Sequence, residues 1–173
     1  MSVYTTLTLQ EVQDFAAPYG LKVINLIPIQ GGIQNTNYFL ICEDDRQFVL
    51  TLFEELDQQA AGELVPVLVK LGQQGIAIPV PLMVNGQAIF SLKDKPAQIE
   101  PRLHGQHPMP ATLEQVRQIA SAQANMHVAL QDFPLQRSEV RDHRYWMQVA
   151  RELKPNLTPP DQMLLSKLLG MFE

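Results

Sequence analysis

The 173-residue sequence predicts an α+β fold built on a five-stranded antiparallel sheet, and three observations carry that expectation. Three apolar segments rich in β-branched and aromatic residues follow one another between residues 21 and 53 with short connections, the pattern of an antiparallel meander. A segment of helical period then intervenes before further strands. Beyond a proline-bearing stretch, capping signals and helical periodicity take over to the end.

Thr8-Leu9-Gln10-Glu11 fits a capping box and predicts a helix from about residue 9 to 17, ended by Pro18 and Gly20. LKVINLIPI reads as a strand running into Gly31-Gly32, NYFLIC as a second, and QFVLTLF as a third after the turn EDDR. A helix from 57 to 73 is expected next. Leu64, Val67, Leu68 and Leu71 recur at its period, Asp57 caps it and Gly75 lies just beyond its end. IPVPLMV and QAIFSL are short strands around Asn85-Gly86, a pair suited to a tight hairpin turn. PAQIEPRLHG begins as a fifth strand and breaks at Pro101.

The first lobe is therefore expected over 1–103, a linker over 104–111 and a helical part over 112–173. Thr112-Leu113-Glu114-Gln115 is a second capping box. Its helix, to about Leu130, carries Val116, Ile119, Ala120, Gln123, Met126 and His127 on one face, where His127 reads as a core histidine. YWMQVARELK reads as helical. Thr158-Pro159-Pro160-Asp161 opens a last helix with proline at its first position.

Composition narrows the function classes. Lys and Arg total 13 against 18 Asp and Glu, a net charge of −5, with no basic cluster, so nucleic acid is not an expected partner. No apolar run approaches the roughly 20 residues of a membrane helix, and the first thirty residues lack a signal-peptide pattern. A cytoplasmic chain without a membrane partner is expected. Cys42 stands alone, which excludes an internal disulfide and a Cys-based zinc site, and its strand position makes it a small buried residue. His104, His107 and His143 show no metal-ligand spacing.

The element order resembles the small lobe of the protein-kinase-like fold, with the helices after the linker as the first of a large lobe. VYTTLTLQEVQDF, IQGGIQNTNYFL, FVLTLFEEL, GIAIPVP, KPAQIEPRLHGQ, ANMHVALQDFP and RDHRYWMQVA together are similar to the homoserine kinase family, the bacterial form related to aminoglycoside phosphotransferases. The resemblance implies transfer of the γ-phosphoryl of ATP to the hydroxyl of L-homoserine in threonine biosynthesis, with ATP and magnesium as cofactors. It also implies a His-Gly-Asp catalytic loop, an asparagine further on and a later magnesium-holding aspartate. No His-Gly-Asp occurs here, and Arg141-Asp142-His143-Arg144 reads as a polar surface turn. The chain thus reads as roughly the first half of a kinase, with catalytic and magnesium residues expected outside it.

Phosphoryl transfer depends mostly on positioning and charge stabilisation, which singles out the nucleotide contacts. Gly31-Gly32 lets backbone N–H groups approach phosphate without a Cβ in the way, and Gln34, Asn35, Thr36 and Asn37 add side-chain donors. A plain hairpin turn would use the same residues. Strand parity places Phe48, Leu50 and Leu52 on one face and Val49, Thr51 and Phe53 on the other. By the resemblance, Val49 and Thr51 face ATP, but Thr51 stands where a lysine is usual. Glu63 is the match for that lysine's glutamate partner, and Lys70, Lys93, Lys95 or Arg46 are candidates to supply the missing cation. IEPRLHG matches the adenine-binding hinge by position, flanked by Glu100 and Arg102, for which a solvated ion pair is the plain reading.

Two rivals stand beside homoserine kinase: a truncated, non-catalytic kinase half, and a related small-molecule kinase with another acceptor. Met163, Leu164, Leu165, Leu168, Leu169 and Phe172 of the last helix add an expected route to self-association.

Overall fold

A computed structural model describes residues 4–30, 32–105, 109–134 and 141–171. The chain divides into two compact units, Met1–Gln136 and Arg137–Glu173.

In the first unit, helix α1 spans Leu9–Ala16. Its capping box is complete: the Glu11 N–H donates to Thr8 Oγ1, and the Thr8 N–H donates back to Glu11 Oε2. Gly20, at φ +69°, turns the chain out of the short 3₁₀ segment Ala17–Tyr19. Strands β1 (Val23–Pro28), β2 (Asn35–Cys42), β3 (Gln47–Phe53), β4 (Phe90–Leu92) and β5 (Lys95–Pro101) form one sheet in the order β1-β2-β3-β5-β4. Every pairing is antiparallel, as the meander pattern predicts.

One face of this sheet is the core. Tyr38, Leu40 and Cys42 of β2, Phe48, Leu50 and Leu52 of β3, and Ala97 and Ile99 of β5 cluster with Val12 and Ala16 of α1. Each fully buried aliphatic side chain contributes about 1.5–3 kcal/mol relative to exposure. Cys42 is buried here as expected, and burial raises its thiol pKa, so it is a packing residue.

Three expectations need correction. The helix expected over 57–73 is two, α2 (Gln58–Gly62) and α3 (Val65–Gln73). Pro66 has no N–H to give, and its ring opposes the carbonyl four residues back, that of Gly62, where α2 stops. IPVPLMV is not a strand: Pro79 and Pro81 remove two ladder donors, leaving Leu82 N–H to the Ile99 carbonyl (2.8 Å) and one bridge, Val84 to Gln87. That bridge does close the expected hairpin, with Asn85 at φ +52° and Gly86 at +80°. Finally, β2 begins at Asn35, so Asn35 and Thr36 belong to the strand and not to the loop before it.

Helix α3 ends as its glycine predicts: Gly75, at φ +75°, follows the last turn, and Ile76 N–H returns to the Leu71 carbonyl at 3.1 Å. Inside α3, Gly72 meets the proline segment closely, since a Cβ at 72 would lie 2.5 Å from Val80 Cγ2. Helix α4 (Leu113–Ala129) has its capping box at Thr112 and Gln115. Its apolar residues are exposed, Val116 by 51% and Ile119 by 61%, and His127 is exposed with them rather than sitting in a core.

The second unit holds α5 (His143–Leu153), a 3₁₀ turn at Lys154–Asn156 and α6 (Pro159–Leu169). Arg141-Asp142-His143-Arg144 is a helix start: Asp142 is the N-cap and accepts the Tyr145 N–H at 3.0 Å. Met147 is buried, while Trp146, Met163, Leu164 and Leu168 are exposed. Phe172 lies outside the described residues.

Candidate functional site

The face of the sheet opposite the core collects most of the residues singled out above. Register fixes three rows across it. Asn35 stands opposite Phe53. Asn37, Thr51 and Gln98 form the second row, and Phe39, Val49 and Glu100 the third. Period-two alternation puts all of these on one face, and the core residues between them on the other.

The rows grade from polar to apolar. At the end nearest the glycine loop, the Thr51 hydroxyl donates to Asn37 Oδ1 at 2.8 Å. That bond leaves the Asn37 amide nitrogen as the donor end of the pair, and this nitrogen donates to the Asn35 carbonyl at a long 3.4 Å. Toward the end of β5 the surface turns aromatic and aliphatic with Phe39 and Val49. Arg102 closes this end: its guanidinium carbon lies 3.9 Å from the Phe39 ring centroid, and its Nη1 donates to Gln47 Oε1 at 2.7 Å.

Glu100 and Arg102 are not the ion pair of the plain reading; among the described residues no salt bridge joins them. Glu100 accepts from Gln98 Nε2 at 2.8 Å instead. Burial pushes the Glu100 carboxyl above its usual range, and the Gln98 bond only partly offsets that.

Thr36 departs from the loop-donor expectation. It is completely buried, on the core face, opposite Leu52. Its hydroxyl donates to Glu54 Oε1 at 2.6 Å, and its oxygen accepts the backbone N–H groups of Tyr4 and Thr5 at 2.9 and 3.2 Å. A hydroxyl has one donor and two acceptor sites, so Thr36 has nothing left for a ligand. Gln34 is exposed and Gly32 half-buried, both in the β1–β2 connection, while Gly31 lies outside the described residues. Glu63 sits at the break between α2 and α3, as the C-cap of α2.

Three of the four cations considered as substitutes for the lysine are engaged elsewhere. Arg46 pairs with Asp44 (2.6 Å), Lys93 with Glu11 (2.9 Å) and Lys95 with Glu54 (2.8 Å). Lys70, in the last turn of α3, has no ion pair among the described residues. Among those residues, too, no group of three or more His, Cys, Asp or Glu is placed to hold a metal ion.

Phe39, Gln47 and Gln98 belong to this face and were not singled out from the sequence. Strand parity was the available signal: Phe39 shares the parity of Asn37, and Gln98 that of Glu100. The face therefore offers an apolar patch beside the neutral amides of Asn35 and Asn37, suited to a planar heterocycle at one end and an oxygen-rich group at the other.

Comparison with known proteins places the chain among phosphotransferases in sequence and fold. A family model described as "Phosphotransferase enzyme family" matches residues 25–169. A homoserine kinase of Cupriavidus pinatubonensis is 33% identical over 172 residues, 96% of this chain and 52% of the relative. One from Neisseria meningitidis serogroup B is 34% identical over 167 residues, 95% of this chain and 54% of the relative. The chain spans about half the length of the curated relatives it matches. The fold also matches a spectinomycin phosphotransferase solved with ADP and spectinomycin, at TM-score 0.65 and 18% identity over 86% of this chain and 47% of that one. An amicoumacin kinase solved with AMP-PNP and Ca2+ matches at TM-score 0.65 and 15% identity, over 95% of this chain and 52% of that one.

Proposed function

Since the chain belongs to the phosphotransferase enzyme family, we propose that the open face of its sheet is the nucleotide wall of an ATP-dependent kinase whose acceptor is the hydroxyl of L-homoserine. The observation that carries this reading is the graded face itself. Phe39 and Val49 offer a surface for the adenine ring, and Asn35 and Asn37, with Thr51 behind, offer donors at the glycine-loop end for the phosphates. Similarity to homoserine kinases supports the acceptor, and the ADP and AMP-PNP complexes of the structural neighbours support the nucleotide.

On this reading 1–103 acts as the nucleotide lobe, 104–111 as a linker and 112–173 as the first helices of a second lobe. A cytoplasmic place in threonine biosynthesis follows from the acceptor. No helix of the described residues is long and apolar enough to cross a membrane.

Magnesium would screen the charge of the transferring phosphoryl group. The described residues supply no cluster of His, Cys, Asp or Glu to hold it. His-Gly-Asp is also absent from the sequence. The 173-residue chain is accordingly proposed to bind ATP without turning over homoserine. Calorimetric titration with a non-hydrolysable ATP analogue, paired with a coupled assay of homoserine-dependent ADP release, tests both halves. Binding without turnover supports the reading; no binding overturns the nucleotide wall, and sustained turnover overturns the placement of catalysis outside this chain.

A related kinase with another acceptor is the alternative within the same fold, and a panel of amino alcohols and sugars in a catalytically complete homologue would reveal it. The exposed Met163, Leu164 and Leu168 of α6 support a second property, self-association through that helix. Light scattering that finds a monomer at high concentration overturns it.

A further inference from the structure

The segment before α1 is hydrogen-bonded to the β1–β2 connection and to the start of β2. Tyr4 Oη donates to the Ile33 carbonyl at 2.9 Å. The Tyr4 and Thr5 N–H groups converge on Thr36 Oγ1 at 2.9 and 3.2 Å. The Thr5 hydroxyl donates to Glu54 Oε2 at 3.1 Å, and Tyr38 Oη, which accepts the Leu7 N–H at 3.2 Å, donates to the Thr5 carbonyl at 3.1 Å. Lys93 Nζ donates to the Thr6 carbonyl at 2.9 Å. These bonds reach the two residues that frame the connection's exit into β2, Ile33 and Thr36. All of the arm lies before residue 25, where the family match begins.

We propose that the arm Tyr4–Thr6 is a positioning element for residues 32–36 at the entry to β2, setting their pose and thereby the affinity of the outer face for a nucleoside triphosphate. The inference rests on the nucleotide reading above. The physical basis is that Thr36 points into the core while its neighbours Asn35 and Asn37 point to the open face. Holding Thr36 from below fixes the backbone that aims both amides. The Ile33 carbonyl, two residues before Asn35, is held by the same arm, so the strand's first turn of chain is gripped at two points. Ile33 itself is 91% exposed, so no side-chain packing there substitutes for the grip.

The test uses the full chain with Tyr4→Phe, Thr36→Val and the conservative Thr36→Ser. Tyr4 is exposed, and removing its hydroxyl leaves the core cluster intact. Amide hydrogen exchange without nucleotide reports the loop; titration with a fluorescent ATP analogue reports affinity. One lost hydrogen bond is expected to speed exchange across 32–36 and to raise the Kd of the analogue, each roughly 2- to 10-fold for Tyr4→Phe. Exchange at Leu50 and Ile99 stays unchanged. Thr36→Val shows the larger effect and Thr36→Ser restores both readouts. Unchanged loop exchange in Tyr4→Phe and Thr36→Val overturns the proposal. So does a rise shared equally by Leu50 and Ile99 in Tyr4→Phe, which marks general destabilisation, or a loosened loop with unaltered affinity. A wild-type chain that never retains the analogue overturns the nucleotide reading and the affinity claim built on it; because exchange is measured without nucleotide, that failure is told apart from failure of the grip.

Discussion

On the side facing α1, strands β2, β3 and β5 present Tyr38, Leu40, Leu50, Leu52, Ala97 and Ile99, none more than 4% exposed. On the other side the same three strands present Asn37, Phe39, Val49, Thr51, Gln98 and Glu100. Neighbouring residues on one strand thus serve different ends. The inner set is apolar and interlocked, so its changes register as stability. The outer set mixes amides, a hydroxyl, an aromatic ring and a half-buried carboxylate; Thr51 and Gln98 are themselves buried, and changes at the half-buried Asn37, Phe39, Val49 and Glu100 are expected to register as binding. The difference teaches that a one-residue step along β3 separates folding from the proposed function.

The strongest way to break that comparison is Leu50→Ala. Leu50 is fully buried in the centre of the sheet, and its truncation is expected to cost about 2–5 kcal/mol in denaturant unfolding. A chain that stays stable but loses its nucleotide would invert the assignment of faces.

Thr36→Val comes next. It leaves the Tyr4 and Thr5 N–H groups without their acceptor and Glu54 without one donor, an expected loss of about 1–3 kcal/mol. The loss should depend on pH. Burial raises the Glu54 pKa, but Lys95, Thr36 and Thr5 outweigh it, so the folded value lies below the usual one. The stability it contributes is therefore present above the ordinary carboxylate range and disappears as pH falls through the lowered value. Urea melts of Glu54→Gln and wild type across acid pH should converge at the low end.

Val49→Phe sharpens the comparison from the other face. Phenylalanine suits a strand, so stability should move by less than about 1 kcal/mol. The ring would fill the space proposed for adenine, and affinity for an ATP analogue should fall about tenfold or more, near 1.4 kcal/mol. Unfolding by this variant would show that the outer face is packed rather than open.

Glu100→Gln is the smallest. Burial raises this carboxyl, so the fold is penalised once pH rises past the ordinary carboxylate range, where the unfolded chain has already lost the proton. The variant should melt slightly higher at neutral pH, and the gain should vanish in acid. A gain that persists at low pH would assign it to some cause other than ionisation.

Much of this was readable in advance because it follows from short-range rules. Capping at Thr8 and Thr112, the turn at Asn85-Gly86 and the alternation of Phe48 through Phe53 each need only a few consecutive residues. The misses occurred where two rules met. Asn35, Thr36 and Asn37 were read together as loop donors, yet strand pairing splits them by parity and turns Thr36 inward. The period of Leu64, Val67, Leu68 and Leu71 hid Pro66, whose missing donor divides the helix. The bonds from Tyr4 and Thr5 to Thr36 and Glu54 span up to 49 residues, and no local pattern announces contacts of that reach.

Gly72 bears on how this chain could be altered. A glycine inside a helix ordinarily invites replacement by alanine, for a gain of roughly 0.5–1 kcal/mol. Here the added methyl would arrive 2.5 Å from Val80 Cγ2, and the branched valine has few rotamers to retreat into. Single-site mutagenesis would therefore score position 72 as immovable, and would score Val80→Ala merely as a small loss of packing. Made together, Gly72→Ala adds one methyl and Val80→Ala removes two, so the clash is relieved and the double variant should lose less than Gly72→Ala alone. The helix and the proline segment form one unit of variation: position 72 opens to alanine only after residue 80 has been made smaller, so the order of replacement decides which sequences can be reached.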